Sequence, residues 1–383
     1  MKKNKVLNLL FRIFVGVVVV LLIVTLPILG LKQNDEFYQI YSTFVGSKSK
    51  YQGILEVWNI DTFEGGYSAK SNYISMVAKS FEKRNKGLYV LVRNLTEYEC
   101  LNLLAKGEKP DIFSCSYGVA SEIKDNIVPF KNISDLEISS NVLDSGKLNG
   151  ESFGLAWGMG LYFLISTDSH LKNANIFSQN DDENFEKINN LNLADIALHS
   201  GYEKQSKKST KITYSLVFGT NKYLLPNQAF SSYNNNGLIS DSKFFLNDEL
   251  KGCSQYTAYS NFVAEKSVVL LGSQRDLIKM KNREKNGKSE RVYFHAITGF
   301  SDLVQFSFLA KNNNDLKLEY AESFAKLLSS REFQEKLNGF GLLSVCGNEE
   351  NFSIGNETVK VDLEKIKLNN VFITKSEIFN LMK

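Results

Sequence analysis

Between Gly146 and Thr167 the sequence GKLNGESFGLAWGMGLYFLIST sets apolar runs against glycines, and few folds accommodate that pattern. A strand broken by Gly158 and Gly160 marks a place where backbone bends or another surface comes close. The stretch reads either as a core strand with a bulge or as a hinge, with Trp157 beside the break and an apolar strand, Leu161–Ile165, after it. Length favours the hinge. At 383 residues the chain exceeds the roughly 250–300 at which single cores usually split, so two lobes are expected, with this stretch crossing from one to the other.

Composition agrees with globular lobes: 43% hydrophobic and 23% charged residues fill real cores, and four prolines leave no room for a proline-rich linker. The net charge of +3 is unevenly placed. Lys2, Lys3, Lys5, Arg12 and Lys32 give residues 1–32 a charge of +5 with no acids, which leaves −2 for the remainder. A near-neutral body lacks the basic face that nucleic acid requires, so nucleic acid is excluded as a partner.

From Ile13 to Leu31, 19 residues carry no formal charge. A helix of that length nearly matches a bilayer core of about 30 Å. Basic residues precede it and Asp35 and Glu36 follow Lys32, which puts the amino terminus inside and the body outside. Cleavage after Gly30 is the alternative, but Ile28 and the apolar length favour an uncleaved anchor. The chain is therefore read as a cytoplasmic basic tail (1–12), a transmembrane anchor in the lipid bilayer (13–31), a spacer (32–52) and an extracytoplasmic body, a single-pass protein of the cell membrane. Cys100, Cys115, Cys253 and Cys346 match no metal spacing. Outside the cell a disulfide is permitted, and buried free thiols are the other reading.

The body opens on a β-rich run, Ile54–Trp58, and a turn ending in Gly65–Gly66. Ile74, Val77, Ala78 and Phe81 then form one helical stripe, and Tyr89–Val92 a second strand. Strand, helix and strand within about 40 residues make a βαβ unit, hence a parallel sheet covered on both faces. A helix over Tyr98–Ala105 and a strand at Asp111–Ser114 repeat the theme. Residues 168–250 are less legible, with helices expected around Asn189–His199 and Thr213–Phe218. A helix at Tyr256–Lys266 and a buried strand at Ser267–Gly272 follow, and Thr298–Phe308 is read as the second crossing. Helix returns from Leu318 to Asn338, broken at Ser329–Ser330, and again from Ser376.

Catalysis finds little support. His170, His199 and His295 are far apart in sequence and none has a metal-ligand spacing; GxSxG and Walker-type loops are missing. Asp61 with Glu64 invites a glycosidase reading, but nothing separates such a pair from ligand hydrogen-bonders. The chain is expected to be no enzyme, with no cofactor and no metal.

Taken in order, Trp58 with its Gly-Gly loop, FEKRNKG, GEKPDIF, GKLNGESFGLAW, FVAEKSVVLLG, TGFSDLVQFSFLAK and AESFAKLLSSREFQEKLNGFGLLS resemble the extracellular solute-binding proteins of ABC importers, the carbohydrate binders among them, over roughly residues 53–345. The resemblance implies an α/β fold: a two-lobed, periplasmic-binding-protein-like (type II) clamshell, here with an N-terminal transmembrane helix. Lobe 1 would comprise 53–156 and 303–345, lobe 2 would comprise 157–302 and 346–383. Many members carry a lipid-modified cysteine where this chain has an apolar helix, and proline where it has Ala156.

The implied function is a membrane-anchored solute-binding subunit that captures a small polar solute, a sugar or oligosaccharide foremost, by lobe closure and presents it to ABC permease subunits. A tethered sensor or adhesin on the same fold is the alternative. In open parallel sheets ligands sit beyond the carboxyl ends of strands. The expected ligand contacts are Trp58, Asp61, Glu64, Ser116 and Tyr117 from lobe 1, Trp157, Phe300 and Asp302 at the crossings, and Gln274 and Arg275 from lobe 2, with Gly158, Gly160 and Gly299 as hinge. Aromatic planes suit the C–H faces of sugar rings, and carboxylates, amides and guanidinium suit hydroxyls.

Overall fold

A computed structural model of the chain describes residues 47–173, 178–180, 183–184, 214–218, 224–226, 228–229 and 254–382. The expected basic tail, anchor and most of the spacer, the helix at Asn189–His199, and Cys253 and His199 lie outside these residues. Among the described residues no helix is long and apolar enough to cross a membrane.

The elements are β1 (Ser47–Ile60), α1 (Lys70–Arg84), β2 (Asn85–Leu95), α2 (Glu97–Ala105), β3 (Ile112–Cys115), α3 (Val119–Ile123), β4 (Ile127–Val128), α4 (Ser140–Ser145), β5 (Lys147–Leu148), β6 (Glu151–Ser152), β7 (Gly154–Met159), β8 (Tyr162–Thr167) and α5 (Asp168–Asn173). After them come β9 (Tyr214–Phe218), α6 (Gln255–Val263), β10 (Ser267–Ser273), α7 (Gln274–Lys285), β11 (Val292–Ile297), β12 (Val304–Ala310), α8 (Asp315–Leu328), α9 (Arg331–Gln334), β13 (Glu349–Ile354), β14 (Glu357–Asp362) and α10 (Lys375–Met382).

The chain clusters into two units, Met1–Ile54 with Ala78–Tyr89, and Leu55–Val77 with Val90–Lys383. In the first, Asn85 Nδ2 donates to the Phe81 carbonyl at 2.9 Å and closes the end of α1. The second holds β3, β4 and every later strand.

One sheet has the order β2-β1-β3-β12-β4, with β7 also on β12; the other runs β11-β8-β10-β9. β1 and β3 are parallel, Trp58 opposite Phe113. β12, however, lies antiparallel to β3, β4 and β7. The first sheet is therefore mixed rather than purely parallel, because strands leading toward the second sheet and one returning from it run in opposite directions. Of the run expected as a helix at Thr213–Phe218, the described residues, Tyr214–Phe218, form a strand. Tyr-Ser-Leu-Val-Phe favours a strand, and as β9 it pairs parallel with β10.

The chain leaves the first sheet at Met159, passes Gly160 and Leu161, and enters the second at Tyr162; it returns from β11 through residues 298–303 to β12. These two connections are bonded to each other: the Gly160 amide donates to the Leu303 carbonyl at 2.6 Å and Ser301 Oγ to the Gly160 carbonyl at 2.8 Å. Helices close their ends with side chains. At α2, Thr96 Oγ1 accepts from the Glu99 amide while Glu99 Oε2 accepts from the Thr96 amide, a capping box. α8 buries Ala321, Phe324, Ala325 and Leu328, and its run stops at Ser329 before the short α9. Cys100, Cys115 and Cys346 are buried free thiols.

Candidate functional site

β10 passes straight into α7, so Gln274 and Arg275 form the first turn of a helix at the carboxyl end of a buried strand. The turn is fixed by Asp276, whose Oδ2 accepts from the Ser273 amide at 3.0 Å. Against it lies the loop that follows β1. Arg275 Nε donates to Glu64 Oε2 at 2.7 Å, and Gln274 Nε2 donates to the Glu64 carbonyl at 2.9 Å. Gln274 Oε1 in turn accepts from the Leu161 amide at 3.1 Å. One buried amide thus joins the loop after β1, the β7–β8 crossing and α7.

Gly160 and Gly66 permit this approach. A Cβ on Gly160 would fall on the Gln274 amide, and one on Gly66, whose φ is +122°, would lie 2.7 Å from Ile278 Cδ1. Tyr256 of α6 completes the cluster, its hydroxyl donating to Glu64 Oε1 at 2.9 Å while the Arg275 guanidinium lies 4.7 Å over its ring. Burial raises the Glu64 carboxyl, but the hydrogen bonds from Arg275 and Tyr256 and the Arg275 charge outweigh it and leave Glu64 below the usual carboxylate range.

The same loop encloses a cavity of about 220 Å³ lined by Asp61, Phe63, Glu64, Tyr67 and Lys70 among others. Lys70 is wholly buried beneath it. Its Nζ donates to Gln305 Oε1 at 2.8 Å, faces Asp61 Oδ1 at 3.3 Å and sits 3.6 Å above the Phe63 ring. Desolvation by burial lowers the Lys70 pKa despite the opposing pull of Asp61. Behind it a polar chain runs into the sheet: Gln305 Nε2 donates to Ser114 Oγ, Ser114 to Asn59 Oδ1, and Asn59 Nδ2 to Asn94 Oδ1.

Of the expected ligand residues, Glu64, Gln274 and Arg275 meet directly and Asp61 lines the cavity beside them. Burial gives the other six interior roles. Trp157 stacks on Tyr73 with centroids 5.2 Å apart and donates from Nε1 to Ser114 Oγ, so it belongs to the core under β7 and not to a cleft floor. Trp58 packs edge-on against Phe113 and donates to Glu56. The Tyr117 hydroxyl donates to the Asn369 carbonyl, and the buried Ser116 hydroxyl meets no hydrogen-bond partner. Phe300 is buried beside a bridge to Lys367. Asp302 accepts from the Tyr162 hydroxyl at 2.7 Å and the Leu225 amide at 2.6 Å, and burial pushes its pKa up to about 6.

Among the hinge glycines, Gly160 is the tight one; Gly158 leaves ordinary contact distance for a Cβ, 3.4 Å from Leu342 Cδ1, and the Gly299 carbonyl accepts from the Lys367 amide. Sequence reasoning passed over Lys70, Gln305, Tyr67 and Tyr256. Lys70 had a signal, since it stands four residues before Ile74 on the same helical stripe, and Gln305 had another, as a lone amide within LVQFSFLA. His170 is packed 4.0 Å from the Phe262 ring with Nε2 on the Phe262 carbonyl. No group of acidic, His or Cys side chains among the described residues is arranged to hold a metal ion.

No protein family matches the chain by sequence, and no curated protein does. Solved structures do. The GacH receptor of Streptomyces glaucescens, solved free and with acarbose, aligns at 15% identity and a TM-score of 0.51, over 78% of this chain and 81% of the receptor. A chitin oligosaccharide binding protein aligns at 12% identity and 0.53 (86% and 94%), and CpMnBP1 with mannotriose bound at 11% and 0.53 (86% and 93%). At such identities the likeness is one of fold, and the chain has the α/β fold of these binding proteins.

Proposed function

We propose that this chain is an extracytoplasmic solute-binding protein that captures a small neutral polar solute, a carbohydrate, and presents it to an ABC permease. The observation that carries the reading is the meeting of the β1 loop, the β7–β8 crossing and the start of α7 around Gln274 and Glu64. A ligand there touches all three segments at once. Binding that favours one arrangement of the segments over another shifts the population toward it. The cluster offers carboxylate, guanidinium, amide and tyrosine groups together, a set suited to hydroxyl recognition. Structural neighbours solved with acarbose and mannotriose support a saccharide as the class. Binding without chemistry fits the engaged state of the cluster's groups, which hold one another.

Residues 13–31 would tether the protein with the amino terminus cytoplasmic and the body outside, as their uncharged length and basic flank support. Thermal unfolding of the full chain in detergent micelles against a panel of sugars, peptides and metabolites tests the binding. A specific ligand at 100 times its Kd stabilises by about 2.7 kcal/mol. A flat response to the sugars with a shift for another class overturns the carbohydrate reading; a flat response throughout overturns solute binding.

A further inference from the structure

Charge is shared unevenly between the two units. Residues 47–54 and 78–89 of the first carry six cations, Lys48, Lys50, Lys79, Lys83, Arg84 and Lys86, against the single carboxylate of Glu82, whereas residues 55–77 and 90–383 hold 34 cations and 39 carboxylates. Twenty residues at +5 thus stand beside a remainder at −5. The surplus does not rest on Lys50, Arg84 or Glu82, each of which has an interaction of its own. Lys79, Lys83 and Lys86 are exposed and alone exceed Glu82 by two charges. Setting Asp35 and Glu36 of the spacer against the twenty residues still leaves +3. Complementing the helix dipole accounts for Lys83 and Arg84 in the last turn of α1. It does not account for Lys79, one turn earlier, or for Lys86, which already belongs to β2.

These cations gather where the chain enters the unit. α1 ends at Arg84 and β2 starts at Asn85 with no residue between them. A Cβ on Gly87 would lie 3.2 Å from Gln52 Cγ, so the start of β2 lies beside the first half of β1. Side chains two residues apart on a strand share a face, and the face of Gln52 and Gly87 therefore also carries Ile54 and Tyr89, 54% and 62% exposed. Lysines beside an exposed tyrosine and isoleucine suit an anionic lipid surface, where the cations meet headgroups and the aromatic ring sits at headgroup level. Residues 32–46 alone separate this face from the uncharged run 13–31, a length of chain that spans at most about 50 Å.

We propose that the start of β1, the end of α1 and the start of β2 form a membrane-docking surface whose partner is the anionic phospholipid headgroup layer of the bilayer that holds residues 13–31. The inference rests on the tether reading above and is independent of which solute the protein captures. At about fivefold per lysine near an anionic surface, Lys79, Lys83 and Lys86 favour the docked state roughly a hundredfold. Its test is hydroxyl-radical footprinting of the full chain in nanodiscs of phosphatidylcholine alone and of equal parts phosphatidylcholine and phosphatidylglycerol. Tyr89 oxidation falls several-fold in the anionic discs at low salt and recovers at about 0.5 M salt. Tyr98, 76% exposed and past the far end of β2, is the unshielded reference. The triple substitution Lys79→Gln, Lys83→Gln and Lys86→Gln, at exposed positions, makes Tyr89 oxidation equal in the two discs and leaves the melting temperature unchanged. Equal Tyr89 oxidation in the wild type, shielding that survives the triple substitution, or shielding by soluble polyphosphate in neutral discs but not by anionic lipid overturns this proposal and leaves the tether standing. A chain that fails to co-elute with discs of either composition overturns both.

Discussion

Glu64 Oε2 accepts from Arg275 Nε at 2.7 Å, joining a loop that follows β1 to a helix more than 200 residues later in the chain. The two sides of this pair differ: the Arg275 side chain is 3% exposed and also holds Asp276 at 2.9 Å, whereas Glu64 is 53% exposed. Arg275 is thus fixed by its own helix, and Glu64 is the member open to solvent.

Glu64→Gln separates folding from binding. An ion pair with one partner half in solvent contributes about 0–1 kcal/mol, so urea unfolding of the variant shifts little. A charge-assisted hydrogen bond to a ligand hydroxyl is worth about 1.5–3 kcal/mol, so affinity falls by tenfold or more. Equal losses in the two measurements would remove Glu64 from the binding site.

Gly160→Ala and Gly158→Ala form a matched pair. Neither glycine has a left-handed φ, so the comparison isolates space. The methyl at 160 meets the Gln274 amide and displaces its bonds to Leu161 and Glu64, costing about 1–3 kcal/mol; the methyl at 158 has room and costs under about 1 kcal/mol. Unfolding midpoints in urea rank the two, and the reverse order would show that close approach is not why Gly160 is glycine.

Local periodicity carried much of the fold. The stripe of Ile74, Val77 and Phe81, the β-rich Ile54–Trp58 and the glycine break after Trp157 each correspond to an observed element or connection. Failures came where the outcome depends on distant neighbours. Tyr214–Phe218 is too short for its period to decide between helix and strand, and β10 settles it. The hairpin β13–β14 was overlooked although Gly355–Asn356 between extended runs is a turn signal. At the site, the rule of strand ends picked out Gln274 and Arg275, which both hydrogen-bond to Glu64, whereas Trp58 and Trp157, expected beside a ligand, are buried, because a large ring serves packing as readily as recognition. Lys70 was legible only as an oddity on an apolar stripe.

Lys70→Met reports on the buried amine. Burial lowers the Lys70 pKa below the ordinary lysine value of 10.5. Between the lowered and ordinary values the unfolded chain binds the extra proton, so unfolding free energy rises with pH there. The difference between wild type and Lys70→Met, followed by urea unfolding from neutral to alkaline pH, therefore grows in favour of wild type as pH increases. A difference that stays level with pH would mean that Lys70 is as well solvated as in the unfolded chain.

Asp302→Asn tests the opposite sign at the other end of the pH scale. Burial raises the Asp302 pKa from 3.8 to about 6. Between those values the native state holds a proton that the unfolded chain has released, so the stability this carboxyl contributes is full below about pH 4 and is lost as pH rises through about 6. At about 1.36 kcal/mol per unit of displacement, the wild-type advantage over Asp302→Asn declines by about 3 kcal/mol across that window. Asparagine can still accept from the Leu225 amide and donate to the Tyr162 oxygen, so the variant folds. Asp302 holds both of those groups inside the protein, and saccharide affinity at neutral pH is accordingly unchanged by the substitution. A loss of affinity without the pH-dependent stability difference would return Asp302 to the ligand.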